Sequence, residues 1–180
     1  MKAVPAIDPG VFRRALEAAL RRMSDGSLVV FSGAVAKARS GSAFAASKLF
    51  SGVDDGSSVN VAVRNPSDSG VYVYLARVSV LPGGKVRVDV YSDPSILGGS
   101  AVPVLGLGIG YGSPHAELRS GVTIVTGSPR LTLSSATGID IVPPGAVVVP
   151  PGHRLVIKVT NESGAQQDVS LLMTWWEEPG

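Results

Sequence analysis

The chain has no cysteine. That excludes a disulfide framework, a thiol nucleophile and thiolate-held metal. Charge is scarce too. Asp, Glu, Lys and Arg together make up 17% of the 180 residues, against about 25% in ordinary soluble domains. Histidine occurs only at His115 and His153. A zinc site takes three or four protein ligands, and nothing in the sequence gathers these two with others. No apolar run reaches the ~18 residues of a transmembrane helix. Met1-Lys2 opens as a signal peptide does, but Pro5, Asp8, Pro9 and Gly10 break the stretch after it, so no secretory signal is read.

What is present is apolar and valine-rich. Hydrophobic residues make up 44% of the chain. A chain of this length buries roughly 70% of its extended surface, so it folds without disulfide or metal. High apolar content with little charge suits a subunit that hides surface in an assembly; a large core fits it equally. The net charge of +2 is small, but it is unevenly placed. Residues 1–39 carry seven basic and three acidic groups, a balance of +4, and the rest nine and eleven, a balance of −2. Contact with a polyanion would therefore fall to the N-terminus.

Only the N-terminus reads as a helix. Asp8 can accept first-turn amide hydrogens, and Pro9 suits the first helical position. Phe12, Leu16, Ala19, Leu20 and Met23 then recur at helical spacing, with Arg13, Arg14, Glu17, Arg21 and Arg22 on the other side. Gly26 stands where a left-handed stop belongs. Residues 1–26 are thus expected to form a basic amphipathic arm, helical over about 9–24, and residues 27–180 a separate body. The arginine face is either a solvated surface or a contact for an acidic partner. Nucleic acid is not expected, since no aromatics are interleaved for base stacking.

The body reads as strands. Residues 28–36 are apolar. Val59, Val61 and Val63 alternate with polar or small neighbours. Residues 71–81 and 85–91 flank Pro82-Gly83-Gly84 and are expected to form a hairpin. Residues 122–126 and 131–135 flank Gly127-Ser128-Pro129 and suggest another. Residues 146–149 stop at Pro150-Pro151-Gly152. Leu155, Ile157 and Val159, then Val169, Leu171, Met173 and Trp175, form two alternating runs separated by turn residues at 161–165. Eight to ten strands with no intervening helical pattern exclude a parallel α/β fold, which needs crossover helices. The expectation is a mainly β protein, an antiparallel, jelly-roll-like β-sandwich, with residues 92–120 as a glycine-rich sheet-to-sheet crossover.

No motif carries catalysis. Gly106-Leu107-Gly108-Ile109-Gly110-Tyr111-Gly112 lacks the succeeding helix that a phosphate loop needs. Asp54-Asp55-Gly56-Ser57 lacks EF-hand spacing and reads as a turn, even with Asp93 and Asp140 as further oxygen donors. No nucleophile elbow occurs. No cofactor, metal site or enzymatic activity is expected. Trp175 and Trp176 should face opposite sides of a strand. One belongs to the core; the other is an interface anchor, a second-layer core residue or a sugar platform. Asn161-Glu162-Ser163 matches the glycosylation sequon, while Pro66 blocks Asn65-Pro66-Ser67.

Val63-Arg64-Asn65-Pro66-Ser67 with Gly70, Tyr91-Ser92-Asp93-Pro94, the run 155–161 with Ser163-Gly164, and the ending 171–177 together resemble small jelly-roll structural proteins of tailed phages and archaeal viruses. The resemblance spans residues 41–178. It implies a non-enzymatic virion protein (capsid, decoration or spike subunit), assembled in the host cytoplasm, that acts as a homo-oligomer such as a trimer and contacts other virion proteins. The N-terminal helix departs from that family. Phe12, Arg13, Arg14, Leu16, Leu20, Arg21, Arg22 and Trp176 are the interface residues expected on this reading. The rival is a carbohydrate-binding sandwich using Trp175 or Trp176 with Tyr72, Tyr74 or Tyr91.

Overall fold

The computed structural model describes residues 42–107, 112–141 and 147–180. The expected arm, its helix and the apolar run at 28–36 lie outside the described residues. Among the described residues there are twelve strands and no helix. β1 (Ala43–Val53), β3 (Val71–Pro82), β6 (Leu105–Gly106), β9 (Ile139–Asp140), β10 (Val147–Val149) and β12 (Gln167–Pro179) form one sheet. Its order is β10-β3-β12-β1-β6, with β9 also on β3. β2 (Ser58–Arg64), β4 (Val86–Ser92), β5 (Ser95–Ala101), β7 (Glu117–Thr126), β8 (Leu131–Ser135) and β11 (Arg154–Asn161) form the second, in the order β5-β7-β2-β11-β4-β8. All these pairings are antiparallel. The protein is therefore mainly β, as the alternating valines require.

One core joins the two sheets. From the first come Phe44, Leu75, Val78, Leu171, Met173 and Trp175, and from the second Val61, Val63, Val86, Val88, Ile157 and Val159. In β3 the alternation slips by one residue. Trp175 faces Leu75 while Thr174 faces Arg77, so Ala76 is a bulge. The bulge keeps Val78 and Val80 in phase with the core after Val73 and Leu75, and all four are fully buried.

The expected hairpins do not form. Among the described residues no two strands consecutive in the chain pair with each other. Pro82-Gly83-Gly84 carries the chain from β3 in one sheet to β4 in the other. It is held by Gly83 N donating to the Asp168 carbonyl at 3.1 Å. Gly127-Ser128-Pro129 separates β7 from β8, which lie on opposite sides of the second sheet. Turn residues mark where a chain reverses, but not which strand it next lies beside. The crossover expected at 92–120 holds instead β5, β6 and the start of β7, and it visits both sheets.

The outer portions of β5 and β7 form a flap. Gly98, Gly99 and Gly121 bend its two strands, all at positive φ. A Cβ on Gly99 would lie 2.5 Å from Val122 Cγ1, so only glycine fits there. Beyond the bends, Val122, Ile96 and Ile124 cover Ala62, Val156 and Tyr91 on the outer side of the second sheet, a small second cluster.

Candidate functional site

The two outer faces differ in chemistry. On the second sheet, in-register rows read Ser58-Thr160-Arg87-Ser134 and Asn60-Lys158-Asp89-Thr132. This face is polar and internally bonded. Ser58 Oγ and Thr160 Oγ1 lie 2.8 Å apart, and Asp89 accepts from Thr132 Oγ1 at 2.7 Å and from Arg87 Nε at 3.3 Å. On the first sheet the outer rows are Leu81-Ser170-Leu49, Asp140-Ser79-Leu172-Ser47, Arg77-Thr174-Ala45 and Val148-Tyr74-Trp176-Ala43. Leu49 and Leu81 are 55% and 56% exposed. Tyr72, Val148 and half-buried Leu172 add to the apolar surface.

The two tryptophans divide as the strand period requires. Trp175 is 1% exposed and packs on Phe44, their ring centroids 5.9 Å apart. Trp176 lies half-buried on the outer face. Its ring stacks on Tyr74 at 5.5 Å with 3° between planes, and its Nε1 donates to Glu178 Oε1 at 3.0 Å. Tyr74 thus occupies one face of the indole. Tyr91 belongs to the second sheet, under the flap. The Trp–Tyr grouping foreseen for a sugar platform is therefore reduced to Trp176, Tyr74 and Tyr72. The other predicted interface residues, Phe12, Arg13, Arg14, Leu16, Leu20, Arg21 and Arg22, lie outside the described residues.

The histidines stay apart, each beside a carboxylate. His153 Nδ1 is 2.6 Å from Asp93 Oδ2, and His115 Nδ1 is 2.8 Å from Glu177 Oε2. Among the described residues no three His, Asp or Glu side chains gather to hold a metal ion. Asp54 and Ser57 close a turn through Ser57 N donating to Asp54 O at 3.0 Å. Most of the glycine run 106–112 lies outside the described residues. The sequon asparagine is fully buried. Asn161 Nδ2 donates to the Val53 and Ala165 carbonyls at 2.8 and 2.7 Å, and its Oδ1 accepts from Ser163 N and Gln167 Nε2. That nitrogen is a structural donor, closed to glycosylation in the folded chain.

Sequence reasoning missed Glu177. Its carboxylate, with 4% side-chain exposure, accepts from the backbone N–H groups of His115 and Ala116 and from Trp175 Nε1. The alternation could have found it. Glu177 continues the inward series Val169, Leu171, Met173, Trp175, and a carboxylate at such a position needs donors.

Two aspartates tie strand ends. Asp140 accepts from Ser79 Oγ and makes a two-pronged pair with Arg77, holding β9 on β3. The Ser79 bond lowers its pKa; burial opposes, and Arg77 lowers it further. For Asp93 burial raises the pKa, but the His153 bond, the Arg154 N–H and both positive charges outweigh it, leaving it below the ordinary value. A depressed carboxylate favours the folded state above its unfolded pKa and loses that contribution as pH falls through the folded one. Stability should therefore drop on acidification below about pH 4. Urea midpoints measured from neutral to strongly acid pH should fall less steeply in a D93N/D140N double variant. Parallel curves would show that neither pair contributes.

Two hollows remain. An apolar cavity of about 270 Å³ opens beside Val90, Leu131, Ile141, Val149 and Leu155, with the Asp93–His153 pair among its lining. A polar cleft of about 340 Å³ lies between the flap and the second sheet, lined by Ser58, Asn60, Tyr91, Thr123, Thr126 and Lys158 among others. Ser92 also lines the first, but among the described residues no hydrogen bond joins its hydroxyl to His153.

No protein-family model and no curated protein matches the chain. Among solved structures, the hydroquinone 1,2-dioxygenase of Sphingomonas sp. TTNP3 with 4-hydroxybenzoate bound is similar over 84% of this chain and 73% of that one. The identity is 12% and the TM-score 0.25, too low to carry an argument about fold or chemistry.

Proposed function

We propose that the chain is a non-enzymatic structural subunit of a virus particle, a jelly-roll sandwich that works by self-assembly and contact with other virion proteins. The strand orders β1-β12-β3-β10 and β2-β11-β4-β8 support the jelly roll, with β5, β6, β7 and β9 as additions. The resemblance of 63–67, 91–94, 155–161 and 171–177 to phage and archaeal-virus proteins supports the particle.

The observation that carries assembly is the set of exposed apolar side chains on the first sheet's outer face, Leu49 and Leu81 toward one end and Tyr72 and Val148 toward the other, with the Arg77–Asp140 pair between them. An exposed apolar face of this kind marks an interaction surface. The chain enters β1 beside it, since Ala43 is opposite Trp176. Residues 24–41 can span at most about 60 Å, enough to carry the stripe Phe12, Leu16, Leu20 and Met23 to a neighbour's face. The helix expected over 9–24 would be marginal alone, so its apolar side would need a cover. The balance of +4 over residues 1–39 and −2 over the rest favours that contact.

Light scattering on three proteins tests this: the full chain, residues 27–180, and a Leu49→Asp/Leu81→Asp double variant. The full chain should have the mass of a closed oligomer, such as a trimer. Both altered chains should keep their β circular dichroism and lose mass. A monomeric full chain, or unchanged mass in both altered chains, would overturn the assembly reading.

A further inference from the structure

We propose that the cleft between the β5–β7 flap and the polar face of the second sheet binds a sugar that carries a carboxylate, such as a hexuronate or sialate residue. This goes beyond the assembly reading and does not depend on it.

Three observations define the ligand. The first is an amide oxygen with nothing to accept. Asn60 Nδ2 donates to the Val122 carbonyl at 2.8 Å. That bond fixes the amide's orientation, because a carbonyl can only face its nitrogen. Asn60 Oδ1 is then left shielded from solvent without a donor among the described residues. Such an acceptor destabilises the fold until an O–H or N–H reaches it. The second is a positive charge. Lys158 lines the same cleft and makes no ion pair among the described residues. The carboxylate beside it in register, Asp89, is engaged by Arg87 and Thr132. The third is the wall. Tyr91 and Ile124 offer apolar surface, and Ser58, Thr123 and Thr126 offer hydroxyls.

A ligand that meets all three brings a hydroxyl donor, an anion and a ring with C–H faces. A plain carboxylate has no donor for Asn60, and a neutral sugar has no charge for Lys158. A sugar acid has both. A few convergent polar groups on a partly apolar wall also make the pattern of a small-molecule site, and about 340 Å³ is of that size. Access to the shielded oxygen requires the flap tip, Thr123–Thr126, to shift outward while Val122 stays bonded to Asn60. Gly127, at positive φ where that segment ends, is placed to absorb the shift.

The test is an NMR titration of the full chain with glucuronate, N-acetylneuraminate, glucose and acetate, read at the amides of Asn60, Thr123 and Thr126. At least one sugar acid should give saturable shifts there, at about millimolar Kd or tighter. Glucose and acetate should bind at least about tenfold more weakly, the effect of one charge-assisted contact. Lys158→Gln should erase the preference for the bound acid over glucose. Asn60→Asp, which sets a competing carboxylate beside Lys158, should abolish binding of both acids. Four results would overturn the proposal: no saturable shift with either acid, acetate as tight as the acids, glucose as tight, or Lys158→Gln without effect. None of these readouts depends on oligomeric mass, so failure here leaves the assembly reading standing, and the reverse.

Discussion

Trp175→Ala should lower the free energy of unfolding by about 3–5 kcal/mol, the range for a fully buried aromatic residue. Trp175 is 1% exposed and packs on Phe44 in the shared core. Its loss opens a cavity that two hydrogen-bonded sheets cannot close by local collapse. It also removes the indole donor from Glu177, 3.3 Å away. Met173, fully buried two residues earlier on the same face, should cost about 2–5 kcal/mol as Met173→Ala. Trp176 is the internal control. It is adjacent in sequence, has the same volume and lies on the outer face against Tyr74. Trp176→Ala should cost clearly less than Trp175→Ala: up to about 1.5 kcal/mol for the aromatic pair plus the contribution of its half-buried ring area. Urea unfolding followed by circular dichroism measures all three. Equal costs for the two tryptophans would mean that the outer face is as deeply packed as the core.

How far that division was legible depends on the strand. β4, β11 and β12 carry strict alternation, so their inward sets could be read directly, down to Met173 and Trp175. β3 could be located, but the slip at Ala76 could not, because a bulge is set by the partner strand's register. β5 has almost no sequence signal: Ser95–Ala101 is glycine-rich and largely exposed, and it is a strand because β7 pairs with it. Pairing partners were the main loss. Every sheet contact among the described residues joins strands that are not consecutive in the chain, and turn chemistry speaks only for neighbours. The same limit applies to the cleft. Asn60 and Thr126 stand in no motif, Lys158 is legible only as a strand residue of 155–161, and only the sheet register and the bend at Gly121 bring them together. The sequon failed for a related reason. A pattern of three residues says nothing about burial, and Asn161 is buried among backbone carbonyls.

Glu177→Gln should destabilise the protein by roughly 3 kcal/mol, although it changes one atom. The carboxylate is an acceptor on both oxygens, and every group around it is a donor: the His115 and Ala116 amides, the Trp175 indole and the His115 ring nitrogen. An amide side chain replaces one acceptor with an NH2 that faces those donors. At least one buried N–H is then orphaned, and the remaining bonds lose their charge assistance. The position magnifies the effect. Glu177 lies on β12 of the first sheet, while His115 and Ala116 lead into β7 of the second. The carboxylate is therefore a polar tie across the apolar interior, and without it the start of β7 is held only within its own sheet, by Glu117–Ser120 pairing with β2, by Ser100 and Ala101 of β5 and by the Val102 N–H on the Leu118 carbonyl. His115→Ala should cost much less, about 1 kcal/mol, because the ring is half exposed and the backbone bonds survive. Native-state hydrogen exchange separates the two. In Glu177→Gln the amides of His115 and Ala116 should exchange faster by at least about tenfold while the centre of β11 stays protected. In His115→Ala that gain should be absent. If both variants behave alike, the imidazole rather than the carboxylate holds the two sheets together at this end.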